Sequence, residues 1–414
     1  VPLERMIGRP IAATLCSSCK NLANPPPSFF DRHRNDRWQP IPEHRVDGLK
    51  RHAPPDISEA AFGSRAVFRP NQAPITPVRI HMTDFSAALQ LDPREQHFRI
   101  TGPRAGMSQF LRFLPSADSG FRPRRAVLYV HGATFPSALS VAYRFDGTSW
   151  RDALGEAGFD VWGLDFYGFG HSDRYPEMEK PATDNLPLCT AQDAAEQLEA
   201  AIRFILGHQN IEKLSLISHS WGSMPACLFA ATHPALVDRL VLFAPIGRRE
   251  PRRYEAPALF PAWRIVATED QWNRFIEDVP AHEPPVLSRV HFEQWSKRYL
   301  DSDPESRLRA PAGVKTPLGP FSEIIKAWHG QLAYDPGQVR SPVAIIRGEW
   351  DGLILDDDAH WLFDAFTQAP SKRDIKISRG THLMHLEAMR PALWRESVSC
   401  LLGNDVAPIP AESN

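Results

Sequence analysis

Four short stretches of this 414-residue chain carry groups that could do chemistry together. The first is Ser218-His219-Ser220-Trp221-Gly222, placed directly after the apolar run Leu214-Ser215-Leu216-Ile217. A serine hydroxyl is a weak nucleophile at neutral pH and needs a base within hydrogen-bond reach. It must also stand clear of its own backbone. A sharp strand-to-helix turn achieves that, provided small residues sit two before and two after the serine. Ser218 and Gly222 fill those places around Ser220. Capping of a helix by the serines would explain a turn here, but not the partners that follow at a distance. Those are His131-Gly132 after an earlier strand candidate, Asp351 after a later one, and His382 after the last. A histidine can take the serine proton, and a carboxylate can hold the imidazole in the productive orientation. The chemistry implied is acyl transfer.

Each partner has rivals in sequence. His385 lies three residues beyond His382 and reads as packing or as surface at the start of the final helix. Glu349, Asp356, Asp357 and Asp358 compete with Asp351, the last three reading better as the start of the next helix. His131 reads as a structural hydrogen-bonding residue. Gly132 allows a close backbone approach.

The elements needed to hold these points are legible in outline. Gln109–Leu114 and His97–Thr101 alternate enough for short antiparallel edge strands, as does Val78–Met82. Ala126–Val130, Phe159–Asp165, Leu214–Ile217, Leu240–Phe243, Val343–Ile346 and Ile375–Ile377 read as strands, several of them continuous apolar runs as in a buried parallel sheet. Helices are expected over Asp152–Ala157, Ala191–Leu206, Trp221–Ala231, His360–Phe366 and Glu387–Leu401. In the second of these, Ala195, Leu198, Ile202 and Ile205 form one stripe. The alternation of strand and helix describes an α/β protein with a mostly parallel sheet and helices on both faces. It breaks over 246–341, an insertion before the penultimate strand that is long enough for a helical cap. The expected organisation is a proline-rich arm over 1–75, a core over 76–245 and 342–403, the cap, and a tail over 404–414.

The order Ser220, Asp351, His382 and the turn around Ser220 resemble the α/β-hydrolase fold family, whose elbow is G-x-S-x-G. The resemblance spans about 97–402 and departs at Ser218, where the family has glycine. It implies Ser220 as nucleophile, His382 as base and Asp351 as its orienter. It also implies an oxyanion site made by the amides of Trp221 and Ala133, with Thr134 as an alternative donor. Serine at 220 disfavours the aspartate-nucleophile branches, dehalogenase-like and epoxide-hydrolase-like. Gly168-Phe169-Gly170-His171-Ser172-Asp173 resembles a loop that buttresses the site in lid-bearing members. It lacks the G-x-G-x-x-G spacing and the lysine of a phosphate loop, so no nucleotide is expected.

A small apolar or aromatic ester is the expected substrate, carboxylesterase- or lactonase-like, enclosed by some of Phe135, Trp263, Trp272, Phe292, Trp295 and Trp328. Aromatic residues at helical spacing also serve as cap core. Amide hydrolysis, carbon–carbon hydrolysis with the same three residues, and a non-catalytic small-molecule binding module are the alternatives. Net charge is −2, with 43% hydrophobic residues, and gives no global case for nucleic acid or an anionic membrane. Arg124-Arg125, Arg248-Arg249 and Arg252-Arg253 are either solvated surface or a rim for an acidic substrate. Five cysteines, including the isolated Cys16 and Cys19, suggest neither a disulfide scaffold nor zinc. No cofactor or metal is expected. The apolar stretch Ile11–Leu15 is too short for a signal peptide core, so the expected location is cytoplasmic. The arm permits a homodimer.

Overall fold

The computed structural model describes residues 91–117, 124–250 and 260–403. The proline-rich arm, the strand expected at Val78–Met82, Cys16 and Cys19, Arg252-Arg253 and the C-terminal tail lie outside the described residues.

Eight strands form the central sheet: β1 (Gln96–Thr101), β2 (Ser108–Leu114), β3 (Arg125–Val130), β4 (Phe159–Asp165), β5 (Leu214–His219), β6 (Val237–Phe243), β9 (Val343–Gly348) and β10 (Lys372–Ile377). Their spatial order is β1-β2-β4-β3-β5-β6-β9-β10. β1 and β2 are antiparallel to each other, and β2 is antiparallel to β4; all other pairings are parallel. The expected antiparallel edge is therefore present, and the rest is the expected parallel sheet. Ala126–Val130 of β3, Leu240–Phe243 of β6 and Val343–Ile346 of β9 are buried at every position, which is why they read as unbroken apolar runs rather than alternating ones. The outer strand β10 instead carries Lys372, Arg373, Asp374 and Lys376, charges suited to an exposed edge.

Among the described residues, α1 (Trp150–Glu156), α2 (Ala191–Gln209), α3 (Ser223–Thr232) and α7 (Asp356–Ala365) lie between strands of the sheet, and α8 (Arg390–Leu401) follows the last one. α1 packs with α8, and α2 with α3. Local signals set their starts. Ser149 and Asp152 form a capping box on α1, and Thr190 and Asp193 do the same on α2. Gly158, at φ +88°, ends the α1 turn where an L side chain would be strained. The Asp356–Asp358 run opens α7, as expected from the helix dipole. Helix bounds shift by a few residues from the sequence expectation, and two of the shifted starts lie beside the residues of interest. α3 starts at Ser223 because Ser220–Gly222 is a separate tight 3-10 turn. α8 starts at Arg390, since Met384–Leu386 forms its own short turn.

The inserted segment is not all helix. It holds β7 (Trp263–Ala267), α4 (Thr268–Ile276), α5 (Arg289–Asp301), β8 (Gly313–Pro317) and α6 (Gly319–Trp328). β7 and β8 pair antiparallel from Trp263 opposite Pro317 to Ala267 opposite Gly313. A second apolar cluster joins this segment to the rest. Phe275, Leu287, Phe292, Trp295, Tyr299 and Val314 of the segment pack with Phe135, Leu139 and Phe145 after β3, and with Leu383 and Leu386 after β10. Trp295 sits at its centre: fully buried, ring edge-on to Phe135 at 4.8 Å, and Nε1–H donating to the Leu139 carbonyl at 3.1 Å. Trp295→Ala should therefore cost about 3–5 kcal/mol, read as a shifted denaturant midpoint for the inserted segment.

Candidate active site

β5 ends in His219, and Ser220 then takes φ +54°. This left-handed conformation is uncommon for a residue with a β-carbon and persists only where the surroundings enforce it. Here the surroundings are the loop after β3. A Cβ on Gly222 would lie 2.4 Å from the His131 carbonyl oxygen and 2.8 Å from that of Val130. A Cβ on Gly132 would lie 3.1 Å from His219 Nδ1 and 3.3 Å from Ser220 Cβ. Two glycines thus let two loops pass in contact, with Ser220 at the tip. Ser218, at the family's glycine position, is buried, and its hydroxyl has no hydrogen-bond partner among the described residues.

Three strands of the sheet then deliver three side chains to one point. His382 Nε2 is 2.8 Å from Ser220 Oγ. His382 Nδ1 is 2.9 Å from Asp351 Oδ2 and 3.1 Å from Oδ1. Asp351 Oδ1 also accepts from the amides of Leu353 at 2.9 Å and Ile354 at 3.0 Å. Burial raises the Asp351 carboxyl, but His382, the Ile354 amide and the Arg274 charge outweigh it and hold the carboxyl below its ordinary value. An ionised Asp351 can only accept, so Nδ1 carries the imidazole proton. That leaves the Nε2 lone pair facing the serine hydroxyl.

The rivals are placed elsewhere. Glu349 Oε2 accepts from the Arg379 amide. Asp356 pairs with Arg347 and Lys376, and Asp358 with Arg249. His385 is buried, not surface. Its ring lies 4.5 Å from that of His219, and neither nitrogen has a hydrogen-bond partner among the described residues. Burial and the neighbouring His382 press its pKa down to about 3, so it stays neutral. His131 accepts from the Phe166 amide at Nε2, 3.0 Å away, which leaves Nδ1–H to donate to the Gly132 carbonyl at 2.7 Å. Both nitrogens are committed to shaping the loop. Ala133 and Thr134 follow, half-buried. Trp221 is fully buried directly after the serine. Among the described residues, neither the Ala133 nor the Trp221 amide donates to another backbone carbonyl.

Residues 125–388 match the family described as alpha/beta hydrolase fold. The chain belongs to the α/β-hydrolase family. The chain matches no curated protein. Among solved structures, it is similar to a thioesterase domain from the curacin biosynthetic pathway, at 16% identity and TM-score 0.50, over 74% of this chain and 99% of that one. It is also similar to a serine hydrolase from the polyaromatic-hydrocarbon-degrading bacterium Cycloclasticus zankles, at 16% identity and TM-score 0.50, over 76% of this chain and 100% of that one.

In this α/β hydrolase the glycine-rich loop braces the first two strands. Ser172 Oγ accepts from the Phe110 amide at 2.8 Å and donates to the Asp165 carbonyl. Asp173 accepts from the Ser108 amide at 2.7 Å and pairs with Arg99. Asp165 in turn takes both the amide and the hydroxyl of Ser137, just beyond the Ala133–Phe135 loop.

The six aromatic residues do not gather in one place. Phe135, Phe292 and Trp295 lie inside the second apolar cluster, and Trp272 packs against it. Trp263 and Trp328 pack on the main core instead. Trp263 donates from Nε1 to the Lys180 carbonyl at 3.1 Å, while Arg249 lies 4.1 Å over Trp328. Arg248 stacks on Trp361 and meets Glu250, and Arg249 is held by Asp358. A hollow lined by Leu91, Pro136, Leu139, Tyr143, His171 and Arg298 adjoins none of Ser220, Asp351 or His382. Among the described residues there is no group of three or more His, Cys, Asp or Glu side chains able to hold a metal, and no helix long and apolar enough to cross a membrane.

Two supports of the site escaped the sequence reading. His219 does not point idly away from the turn. It is buried against Phe243, with Nε2 3.0 Å from the His382 carbonyl. A carbonyl only accepts, so Nε2 carries the proton. Burial keeps the ring neutral. The position beside Ser220 was the available signal. Glu387 is the second. It is fully buried and accepts from Thr381 Oγ1 at 2.5 Å, one residue before His382. Its place in an apparent helix start concealed it. Burial raises its pKa from 4.5 to about 8, against the opposing pull of Thr381 and Arg274. The unfolded chain loses this proton near 4.5, whereas the folded protein keeps it to about 8, so stability falls as pH rises across that window. Glu387→Gln, which keeps an acceptor for Thr381, should flatten the decline; urea unfolding at pH 5, 7 and 9 checks this.

Proposed function

We propose that this chain is a serine hydrolase that cleaves a small apolar or aromatic carboxylic ester, carboxylesterase- or lactonase-like, through an acyl-enzyme. The observation that carries the reading is the continuous relay from Asp351 to His382 Nδ1, and from His382 Nε2 to Ser220 Oγ, at 2.9 and 2.8 Å. A merely structural serine needs neither a lone pair aimed at its hydroxyl nor a left-handed backbone.

In this reading His382 takes the Ser220 proton as the hydroxyl oxygen attacks the carbonyl. The tetrahedral oxyanion is met by the amides of Trp221 and Ala133, with Thr134 as an alternative donor. Collapse expels the alcohol, which takes the proton from His382. Water, deprotonated by the same imidazole, then attacks the acyl group and frees Ser220. Esters are favoured because an alcohol leaves more readily than an amine. The inserted segment acts as a cap. It is anchored by aromatic residues around Phe135, and Ser220 is only 5% exposed, which suits a small enclosed substrate over a polymer.

The test is a panel of small aromatic and aliphatic esters, lactones and amides, with products identified by mass. Wild-type protein should turn over esters or lactones fastest. Ser220→Ala should lower kcat roughly 10^6-fold and Asp351→Asn roughly 10^4-fold. Turnover that survives Ser220→Ala would sink the assignment.

A further inference from the structure

The loops that carry Asp351 and His382 leave adjacent strands, β9 and β10. They are laced together before either side chain is reached. The Glu349 amide donates to the Ile377 carbonyl at 2.8 Å, and the Trp350 amide to the Gly380 carbonyl at 2.8 Å. The Arg379 amide donates to Glu349 Oε2 at 2.9 Å. Arg379 has φ +60°, a left-handed conformation that directs this amide away from the regular ladder. A carboxylate acceptor makes the bond charge-assisted, stronger than a neutral one.

The Arg379 side chain works in the opposite direction. Its guanidinium lies 5.2 Å over the Trp350 ring, beside Asp351. Its Nη1 meets Glu283 Oε2 at 2.8 Å, and Glu283 belongs to the inserted segment between α4 and α5. Two further contacts seat the same stretch. The Ala388 amide donates to the Val286 carbonyl at 2.9 Å, and Leu287 packs in the cluster containing Leu383 and Leu386. The inserted stretch 280–287 therefore runs along the loop 379–388, which holds His382 in its first half.

We propose that Glu349 and Arg379 are a positioning pair that sets the Asp351 loop against the His382 loop, and that Glu283 ties this alignment to the seating of the inserted segment. The proposal rests on the reading of Ser220, His382 and Asp351 as the hydrolytic relay. Arg379 is half-exposed, so its ion pair adds little to global stability. Its effect is on geometry. A catalytic constellation tolerates only about 0.5 Å of displacement before rate is lost.

The test uses the full chain. The downfield proton resonance of His382 Nδ1–H reports its bond to Asp351 in the resting protein. Alongside it, Ser220 is labelled with a fluorophosphonate, and kcat and KM are measured on 4-nitrophenyl butyrate. Glu349→Ala should speed exchange of the His382 proton and lower kcat about tenfold with KM held within about twofold. Glu349→Gln retains an acceptor oxygen and should recover most of both. Arg379→Ala and Glu283→Gln should each slow labelling about threefold, and the double variant no further, because both break one link. A His382 signal and labelling rate unchanged in Glu349→Ala would overturn the proposal. If the wild-type signal is present but Ser220 never labels, the hydrolase reading fails, and the signal alone still judges the positioning pair.

Discussion

The left-handed backbone of Ser220 cannot stand alone; it is held by contact with the loop that follows β3. That contact is close enough that a β-carbon on Gly222 would collide with two carbonyl oxygens. Much of the site follows from it. The turn sets Gly222 against the His131 and Val130 carbonyls and Gly132 against Ser220, with the Ser220 hydroxyl 2.8 Å from His382 Nε2. The β3 loop needs its own support, and His131 supplies it by bonding across to Phe166 and back to Gly132. The structural, hydrogen-bonding part that the sequence suggests for His131 is the one it plays.

The imidazole of His382 is the second fixed point. Its ring is bonded at both nitrogens, and its own carbonyl is bonded by His219. The residue before it is tied to Glu387 through Thr381. Each of these groups is buried, where an unmet polar atom costs about 1–3 kcal/mol, so alternative placements of the loop are penalised. The surrounding histidines, His219 and His385, stay neutral because burial disfavours their charged forms. That leaves Asp351 as the ionised partner against the imidazole.

The inserted segment adds a third layer of constraint. Its aromatic cluster grips the loop after β3 through Phe135 and Leu139, and the loop after β10 through Leu383 and Leu386. These are the loops that carry Ala133 and His382. Trp295, Phe292 and Phe275 therefore serve the packing that holds the segment against those two loops. Trp263 and Trp328 belong to the main core and its cation contacts instead.

The sequence by itself determined the order of the sheet strands along the chain and the parallel sheet with its antiparallel edge, and it pointed to Ser220, Asp351 and His382, which the fold brings within hydrogen-bond reach. These were readable because burial on both faces writes continuous apolar runs, and because a tight strand-to-helix turn tolerates few residue types. Only the tertiary structure decided what depends on contacts between distant segments. It made His219 and Glu387 supports of His382, separated Glu349 from the imidazole, paired β7 with β8 inside the insertion, and divided the aromatic residues between two clusters. Periodicity reports which face of an element is buried, but not which other element buries it. That information exists only once the chain has folded.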